Sequence, residues 1–405
     1  MFNFRVKNLF LILIIILLCL CPACKSFDNN LAYVDTNDVV NDNTYQDTDN
    51  KKNDTSVNSN NILLNNKKTK HINISTDNEI KLLFSGDILI SKKTRDAYDN
   101  RGIQGILNKN YTNIIDSHDA FIGNIECVLS NVGYAENKKW TFNASPSYVR
   151  ILKDVHYDLL TVANNHTLDY GVEAFVDMLK VLNNAGISYV GGGVDYEDAT
   201  KPFIFEAGGK KIAIIATTIV LPDTNWVASG SNAGLNGGYQ KMNILKQISE
   251  TKKNVDKVVV FAHWGVEKEE EANLTQKLMA HAFVDKGADL VLGCHSHTIQ
   301  NIEYYKGVPI FYSLGNFIYG STDTDTALLS ATFDFNEGAE SDLKVKLIPG
   351  ISFYEISKAF NKQQRIEYMK KLIEKSIGCY YDEDTENIYD LIKYIKNIET
   401  EARDE

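Results

Sequence analysis

The stretch Leu290–His297, LVLGCHSH, carries an apolar, strand-like run into Gly293 and delivers His295 and His297 with one small residue between them. Two imidazoles at that spacing, on a turn that follows a strand, can face one point in space. The chain holds only eight histidines, and two more stand in the same way just past apolar runs: His166 in LLTVANNH (159–166) and His263 in VVVFAHWG (258–265). Asp87 follows IKLLFSG and Glu126 closes AFIGNIE, so carboxylates occupy equivalent places. Strand ends far apart in sequence thus present side chains able to hold a metal or move a proton, which predicts a polar site at one edge of a sheet.

Outward from that stretch, apolar runs alternate with polar, helix-compatible segments. Ile80–Phe84, Ala120–Gly123, Tyr157–Ala163, Ile187–Val190, Val258–Ala262 and Asp289–Leu292 read as strands. Val172, Phe175, Val176, Leu179 and Leu182 recur at helical spacing, and Gly186 ends that run as a C-terminal glycine should. Phe203–Glu206 and Lys211–Ala216, joined by AGGK, form a hairpin candidate. Gly191–Gly193 lacks the spacing and the lysine of a phosphate-binding loop and reads as a tight connection. The Gly- and Asn-rich loop from Asn225 to Tyr239 is placed to overhang the site. Val308–Phe317 supplies a further strand and a Gly315-Asn316 turn, while His281, in the middle of an amphipathic helix, reads as a packing or surface residue. Such alternation predicts an α/β fold with mainly parallel strands, and in such sheets ligands gather outside the carboxyl ends of strands.

Composition sets outer limits. An apolar share of 44% is that of a folded chain, and a formal charge of −11 argues against a nucleic-acid surface, which needs clustered Lys and Arg. Arg5 and Lys7 precede the apolar run Leu9–Leu20, and Ala23 precedes Cys24. This pattern predicts a signal peptide over 1–24 of the lipoprotein type, with Cys24 lipid-modified and the chain attached to a membrane; the alternative is an ordinary signal peptide or an uncleaved anchor, and each implies export to the cell envelope. Residues 25–78, rich in Asn, Asp, Thr, Ser and Lys, read as a disordered tether. A domain over 79–353 follows, then a charged helical extension over 354–405. Cys127, Cys294 and Cys379, the cysteines outside the leader, are an odd set without CxxC spacing, so no disulfide framework can be read. Cys294, beside the His pair, reads as a small buried packing residue, with metal binding as the alternative.

Neutral imidazoles with carboxylates suit a divalent ion such as zinc, manganese or iron. Glu126 is placed to bridge two of them, and two ions about 3.5–4 Å apart can stabilise a phosphoryl or acyl transition state. A metal-free account makes His166 a general acid or base, and a third treats the polar edge as a binding site for an anionic polymer without turnover. Spacing alone leaves all three open.

SGDIL (85–89), GNIECVLS (123–130), ANNHTLDYG (163–171), AHWGVE (262–267), GCHSH (293–297) and YSLGNF (312–317), in that order, resemble the motif series of the CapA family of capsule-synthesis proteins linked to poly-γ-glutamate. The resemblance covers roughly residues 79–335. It implies kinship with the calcineurin-like metallophosphatases, and so a four-layer α/β/β/α sandwich with mixed sheets. It further implies that Asp87, Glu126 and His297 hold one ion and that Glu126, Asn165, His263 and His295 hold another. His166, with Asp87, would be catalytic, with His166 protonating a leaving group. Trp264, next to His263, reads equally as a substrate wall or a core-packing residue, and Asn316 as a substrate contact. Two departures bear on this: Leu89 stands where the wider pattern has histidine, and Glu126 where it has aspartate, which allows one ion or an altered preference. The implied role is synthesis, export or anchoring of an anionic surface polymer or its precursor, beside membrane capsule-synthesis and export proteins. The alternative is a non-catalytic polymer-binding component of such a complex.

Overall fold

The computed structural model describes residues 68–72, 78–238, 241–320, 324–336, 342–353 and 356–404. The expected signal peptide 1–24, its Cys24 and most of the 25–78 tether lie outside the described residues.

A seven-stranded sheet runs in the order Thr69–His71, Phe203–Ala207, Lys210–Thr218, Lys257–His263, Leu290–Cys294, Val308–Phe311, Ile302–Tyr305. Its centre is parallel, and antiparallel hairpins close it on both sides. The second sheet, of ten strands, has the main order Cys379–Tyr381, Ile388–Asp390, Leu343–Phe353, Thr324–Asp334, Glu79–Ile88, Ala120–Ile125, Leu159–Thr161, Ser188–Val190. Its last four strands in that order are parallel; those before them pair antiparallel. The sheets are therefore mixed, and the expectation of mainly parallel strands holds only for the strands that carry the site.

Side-chain alternation along the strands sorts the core into layers. Ile80, Leu82 and Phe84 point between the sheets, where they meet Phe203, Phe205, Ile214 and Phe261; the Phe84 and Phe261 rings pack edge to face at 6.4 Å. Leu83 points the other way, into a cluster with Phe175, Met178 and Leu179 of helix Gly171–Ala185. On the far side of the first sheet Ile215, Val258, Val260 and Val291 lie under Ile244, Ile248, Ala280 and Phe283 of helices Lys241–Lys252 and Leu274–Asp285. Both sheets thus bury both faces, which is why their strands read as continuous apolar runs. Each large side chain so buried contributes about 1.5–3 kcal/mol. The result is a four-layer α/β/β/α sandwich.

Two boundaries differ from expectation. Thr69–His71, assigned by composition to the tether, pairs in parallel with Phe203–Ala207, and the adjacent Lys68 ammonium is buried against the Asp198 carboxylate at 3.1 Å. A three-residue polar edge strand has no hydropathy signature. Residues 354–405 are not a purely helical extension either. Ile356–Ala359, Cys379–Tyr381 and Ile388–Asp390 join the second sheet, and Met369, Leu372 and Tyr381 belong to the core between the sheets. This segment completes the domain.

Glu386 fastens it. Arg365 donates to its two oxygens at 2.7 and 2.9 Å, and Lys346 to one of them at 2.8 Å. Burial disfavours the Glu386 carboxylate, but the Arg365 and Lys346 hydrogen bonds overcome it and bring the carboxyl down from 4.5 to about 2. A depressed carboxyl stabilises the fold fully above its unfolded value and loses that contribution as pH falls through the folded one. Glu386→Gln is therefore expected to lower stability at pH 7 by about 2 kcal/mol. It should also flatten part of the loss that the unaltered chain shows between pH 4.5 and 2, as followed by denaturant unfolding across that range.

Candidate metal centre

The site stands where strands of both sheets end together. The second sheet brings Asp87 at the end of Glu79–Ile88, Glu126 just past Ala120–Ile125, and Asn165 and His166 past Leu159–Thr161; the first brings His263 at the end of Lys257–His263 and His295 and His297 past Leu290–Cys294. The chain crosses between the sheets after Val308–Phe311, and its Gly315-Asn316 turn aligns Asn316 beside Asp87. That crossing explains Gly86: a Cβ there would lie 1.9 Å from the Gly315 carbonyl oxygen, while the Asp87 amide donates to the same oxygen at 3.0 Å.

Asp87 is fully buried. Its Oδ1 accepts from Asn124 Nδ2 at 2.8 Å, and its Oδ2 from the His295 backbone amide at 3.0 Å. His297 Nδ1 lies 3.5 Å from Asp87 Oδ2 and 3.9 Å from Glu126 Oε2. His263 Nε2 lies 2.8 Å from Asn165 Oδ1 and 3.6 Å from Glu126 Oε1; its Nδ1 lies 3.2 Å from Cys294 Sγ and 4.0 Å from Asp87 Oδ1. The rings of His263 and His295 are 4.7 Å apart. His295 and His297 both take left-handed backbone conformations, with φ of 95° and 58°, strain that persists only where the surroundings impose it. The hydrogen bond from the His295 amide to Asp87 is part of that imposition.

Donor atoms fall into overlapping sets, each within 4.8 Å: Asp87, Glu126, His297; Glu126, His263, His295; and Asp87, His263, Cys294. Both oxygens of Glu126, and Nδ1 of His295, are buried without a hydrogen-bond partner. The Tyr319 hydroxyl is the one hydrogen-bonding neighbour that lowers the Glu126 carboxyl among the described residues, and it leaves both oxygens without a well-formed bond. An unpartnered buried carboxylate is costly, and a divalent cation among these donors removes the cost. Nitrogen, carboxylate and amide oxygen donors fit zinc, manganese or iron. Burial, then the Asp87 charge, pushes the Glu126 carboxyl well above its usual range. Burial also opposes ionisation of Asp87, yet the hydrogen bond from His297 and the charge of His263 bring its carboxyl below the usual range. Burial, then His295, takes His263 well below the ordinary imidazole value, and burial brings His295 to about 4. Both rings are therefore neutral, as metal ligands must be. Burial disfavours a charged His297 too, but Glu126 and Asp87 outweigh it and raise the ring to about 10.

His166 stands at the margin of this cluster with its own support. Its amide donates to Asn164 Oδ1 at 2.9 Å, and its Nδ1 lies 2.7 Å from Asp169 Oδ2. The other Asp169 oxygen forms an ion pair with Lys138, whose ammonium also donates to the Asn165 carbonyl at 2.5 Å. Phe142 packs on the His166 ring at 4.4 Å. With Nδ1 held, Nε2 is the atom left for chemistry.

Asp87, Glu126, Asn165, His166, His263, His295 and His297 thus come together. Other expectations are corrected. Asp87 has both oxygens engaged inside the protein, which suits a ligand and not a proton-transfer group facing substrate. Of the two readings of Trp264 the structure takes core packing and not a substrate wall: it is 1% exposed, donates to the Tyr312 carbonyl at 2.8 Å and stacks on Phe283 at 5.9 Å. Asn316 is 3% exposed and its Oδ1 lies 2.9 Å from His297 Nδ1, so it aims an imidazole and does not meet substrate. Leu89 is a buried core residue. Cys294 packs as expected of a buried thiol, yet its sulfur faces His263. Asn124 escaped the sequence reading, although it donates to Asp87 while accepting from Thr161 at 2.8 Å and Asn164 at 3.1 Å. Its place two residues before Glu126 was the only signal.

Residues 81–321 match the family described as "Bacterial capsule synthesis protein PGA_cap". The chain is 32% identical over 271 residues to "PGA biosynthesis protein CapA" of Bacillus subtilis (strain 168), covering 65% of this chain and 70% of that one. It is 30% identical over 265 residues to "Capsule biosynthesis protein CapA" of Bacillus anthracis, covering 62% and 63%. Among solved structures, a phosphatase from Mycoplasma pneumoniae aligns with a TM-score of 0.43 and 16% identity over 68% of this chain and 95% of that one.

Elemental analysis of the purified chain should find at least one divalent transition ion per molecule, reduced by Glu126→Gln and by His263→Ala. Removing it by chelation should lower the melting temperature. Free metal at ~100-fold above its Kd should restore about 3 kcal/mol; a chain that melts identically with and without added metal would refute the assignment. Gly86→Ala should cost about 3 kcal/mol or more and lower metal content by displacing Asp87, measured by unfolding and elemental analysis of the same sample.

Proposed function

Because this chain belongs to the bacterial capsule synthesis protein family PGA_cap, we propose that it serves the synthesis, export or anchoring of a surface polyanion such as poly-γ-glutamate. It does so by metal-assisted hydrolysis or transfer at an ester, amide or phosphoester centre. The observation that carries this reading is the buried, unpartnered Glu126 carboxylate among Asp87, His263, His295 and His297. A purely structural polar cluster would have satisfied those oxygens.

Asp87, Glu126 and His297 would hold one ion, and Glu126, Asn165, His263 and His295 a second where two are bound. Such an ion supplies Lewis-acid polarisation of the group under attack. The chain's own part is positioning and proton transfer. Asp169 fixes the His166 ring through Nδ1, so that Nε2 can give a proton to a departing oxygen or nitrogen. Lys138 balances the Asp169 charge and, through the Asn165 carbonyl, fixes the backbone of a ligand residue. The Lys139 ammonium lies over the exposed Trp140 ring, 5.4 Å from its centroid, and adds a second positive charge to that segment. These cations and the metal offset the repulsion between a polyanion and a chain of net charge −11.

Export through residues 1–24 and a lipid on Cys24 would hold the domain at the envelope membrane beside capsule-synthesis and export proteins. No helix among the described residues is long and apolar enough to cross a membrane.

The test uses the full chain supplied with manganese, zinc or iron. Turnover of nitrophenyl phosphoesters and of γ-glutamyl nitroanilide is measured together with metal content. His166→Gln should keep its metal and lose about 10²–10⁴-fold in kcat on whichever class is turned over. A metal-free chain that turns over neither class, in cells where deletion of the protein still abolishes surface polymer, would establish the non-catalytic role instead.

A further inference from the structure

The Gly- and Asn-rich loop, described over residues 225–238, supplies none of the donor sets of the metal centre among the described residues. Together with helix Lys241–Lys252 and the short helix Tyr196–Thr200 it encloses a cavity of about 1040 Å³. The walls are built and fixed. Gly234–Leu235 pairs antiparallel with Gly192–Gly193, and a Cβ on Gly234 would lie 2.6 Å from both the Ala228 nitrogen and the Trp226 oxygen, so the loop closes on itself only with glycine there. Asn236 ties it down, donating to the Ala216 carbonyl at 2.8 Å and to Gln247 Oε1 at 3.0 Å. Trp226, 7% exposed, lies under Lys138 at 5.2 Å. Trp226 stands between the lining residues Asn225 and Val227, and Lys138 also supports His166, so the loop that walls the cavity is in contact with a support of the metal centre.

Its chemistry differs from that of the centre. Among the described residues Lys246 and Glu250 are the only charged ones in its lining, and they cancel, so these residues give a polyanion no net attraction. The apolar lining residues are small or medium in size, as with Val227 and Leu235, and they offer no deep slot for an acyl chain. Carboxamides are the most frequent polar group of the lining. Asn225 is exposed, and its side chain makes no hydrogen bond among the described residues. A carboxamide both donates and accepts, which matches a sugar hydroxyl, itself donor and acceptor. At the rim the Tyr196 ring is 44% exposed, a face on which the apolar side of a sugar ring can stack. The volume lies at the upper end for small-ligand sites and suits an oligomer better than a single ring.

We propose that this cavity binds a neutral oligosaccharide and holds it beside the metal centre, at a site separate from the one that takes the polyanion. The inference does not depend on turnover at the metal centre. The full chain is titrated calorimetrically with chitotriose, maltotriose and a γ-glutamyl trimer, with and without chelator. A saccharide should bind, chelation should leave its affinity unchanged, and Tyr196→Ala and Asn225→Ala should each weaken it about fivefold or more while melting and metal content stay as before. The proposal is overturned if neither saccharide binds, if both variants retain full affinity, or if the γ-glutamyl trimer is the ligand whose affinity these variants reduce.

Discussion

The hydrogen bond from the His295 backbone amide to the Asp87 carboxylate, 3.0 Å long, spans 208 residues of sequence and joins the two sheets at the edge where the site stands. Around it each partner is held by another element. Asn124 fixes the second Asp87 oxygen, Thr161 and Asn164 fix Asn124, and the crossing at Gly315 presses the backbone against Gly86. A buried polar group left without its partner costs about 1–3 kcal/mol, so these contacts stand or fall as a unit. The apolar core between the sheets does the bulk stabilising and leaves the strand ends to carry polar groups that no core could accept.

Within that frame the chemistry divides by environment. Burial neutralises His263 and His295 and leaves their lone pairs available, while His297 between two carboxylates is held charged in the absence of a cation. A metal ion replaces that compensation with its own charge. His166 is governed by a different pair, Asp169 and Lys138, so ligand and proton-transfer functions are built on separate supports. Lys138 also reaches Trp226, and through it the amide-lined cavity belongs to the same neighbourhood although its polarity is unlike that of the centre.

Much of this was legible before any coordinates. His295, His297, His263, His166, Asp87 and Glu126 announced themselves because an apolar run ending in a polar side chain is a local pattern. What escaped had no local pattern. Thr69–His71 is a polar edge strand, recognisable only by its partner Phe203–Ala207. The short strands after residue 354 are too brief for a period, and only their packing into the inter-sheet core makes them part of the domain. Trp264 follows a ligating residue in sequence and Asn316 stands in a turn after a strand, yet the fold sends one into the outer core and the other toward an imidazole.

By itself the sequence determined the α/β class, the parallel strands that carry the site and the identity of most donors, because alternation of apolar and polar residues encodes which faces are buried; the four layers followed from the family resemblance. Tertiary structure alone decided that donors from two different sheets share one pocket, that Glu126 stays unpartnered there, and that Asn124, Asp169 and Lys138 govern the groups around them. The reason is physical. Hydrophobic periodicity is a property of a few neighbouring residues, whereas the cost of an unmatched buried charge is set by whatever the distant chain brings against it.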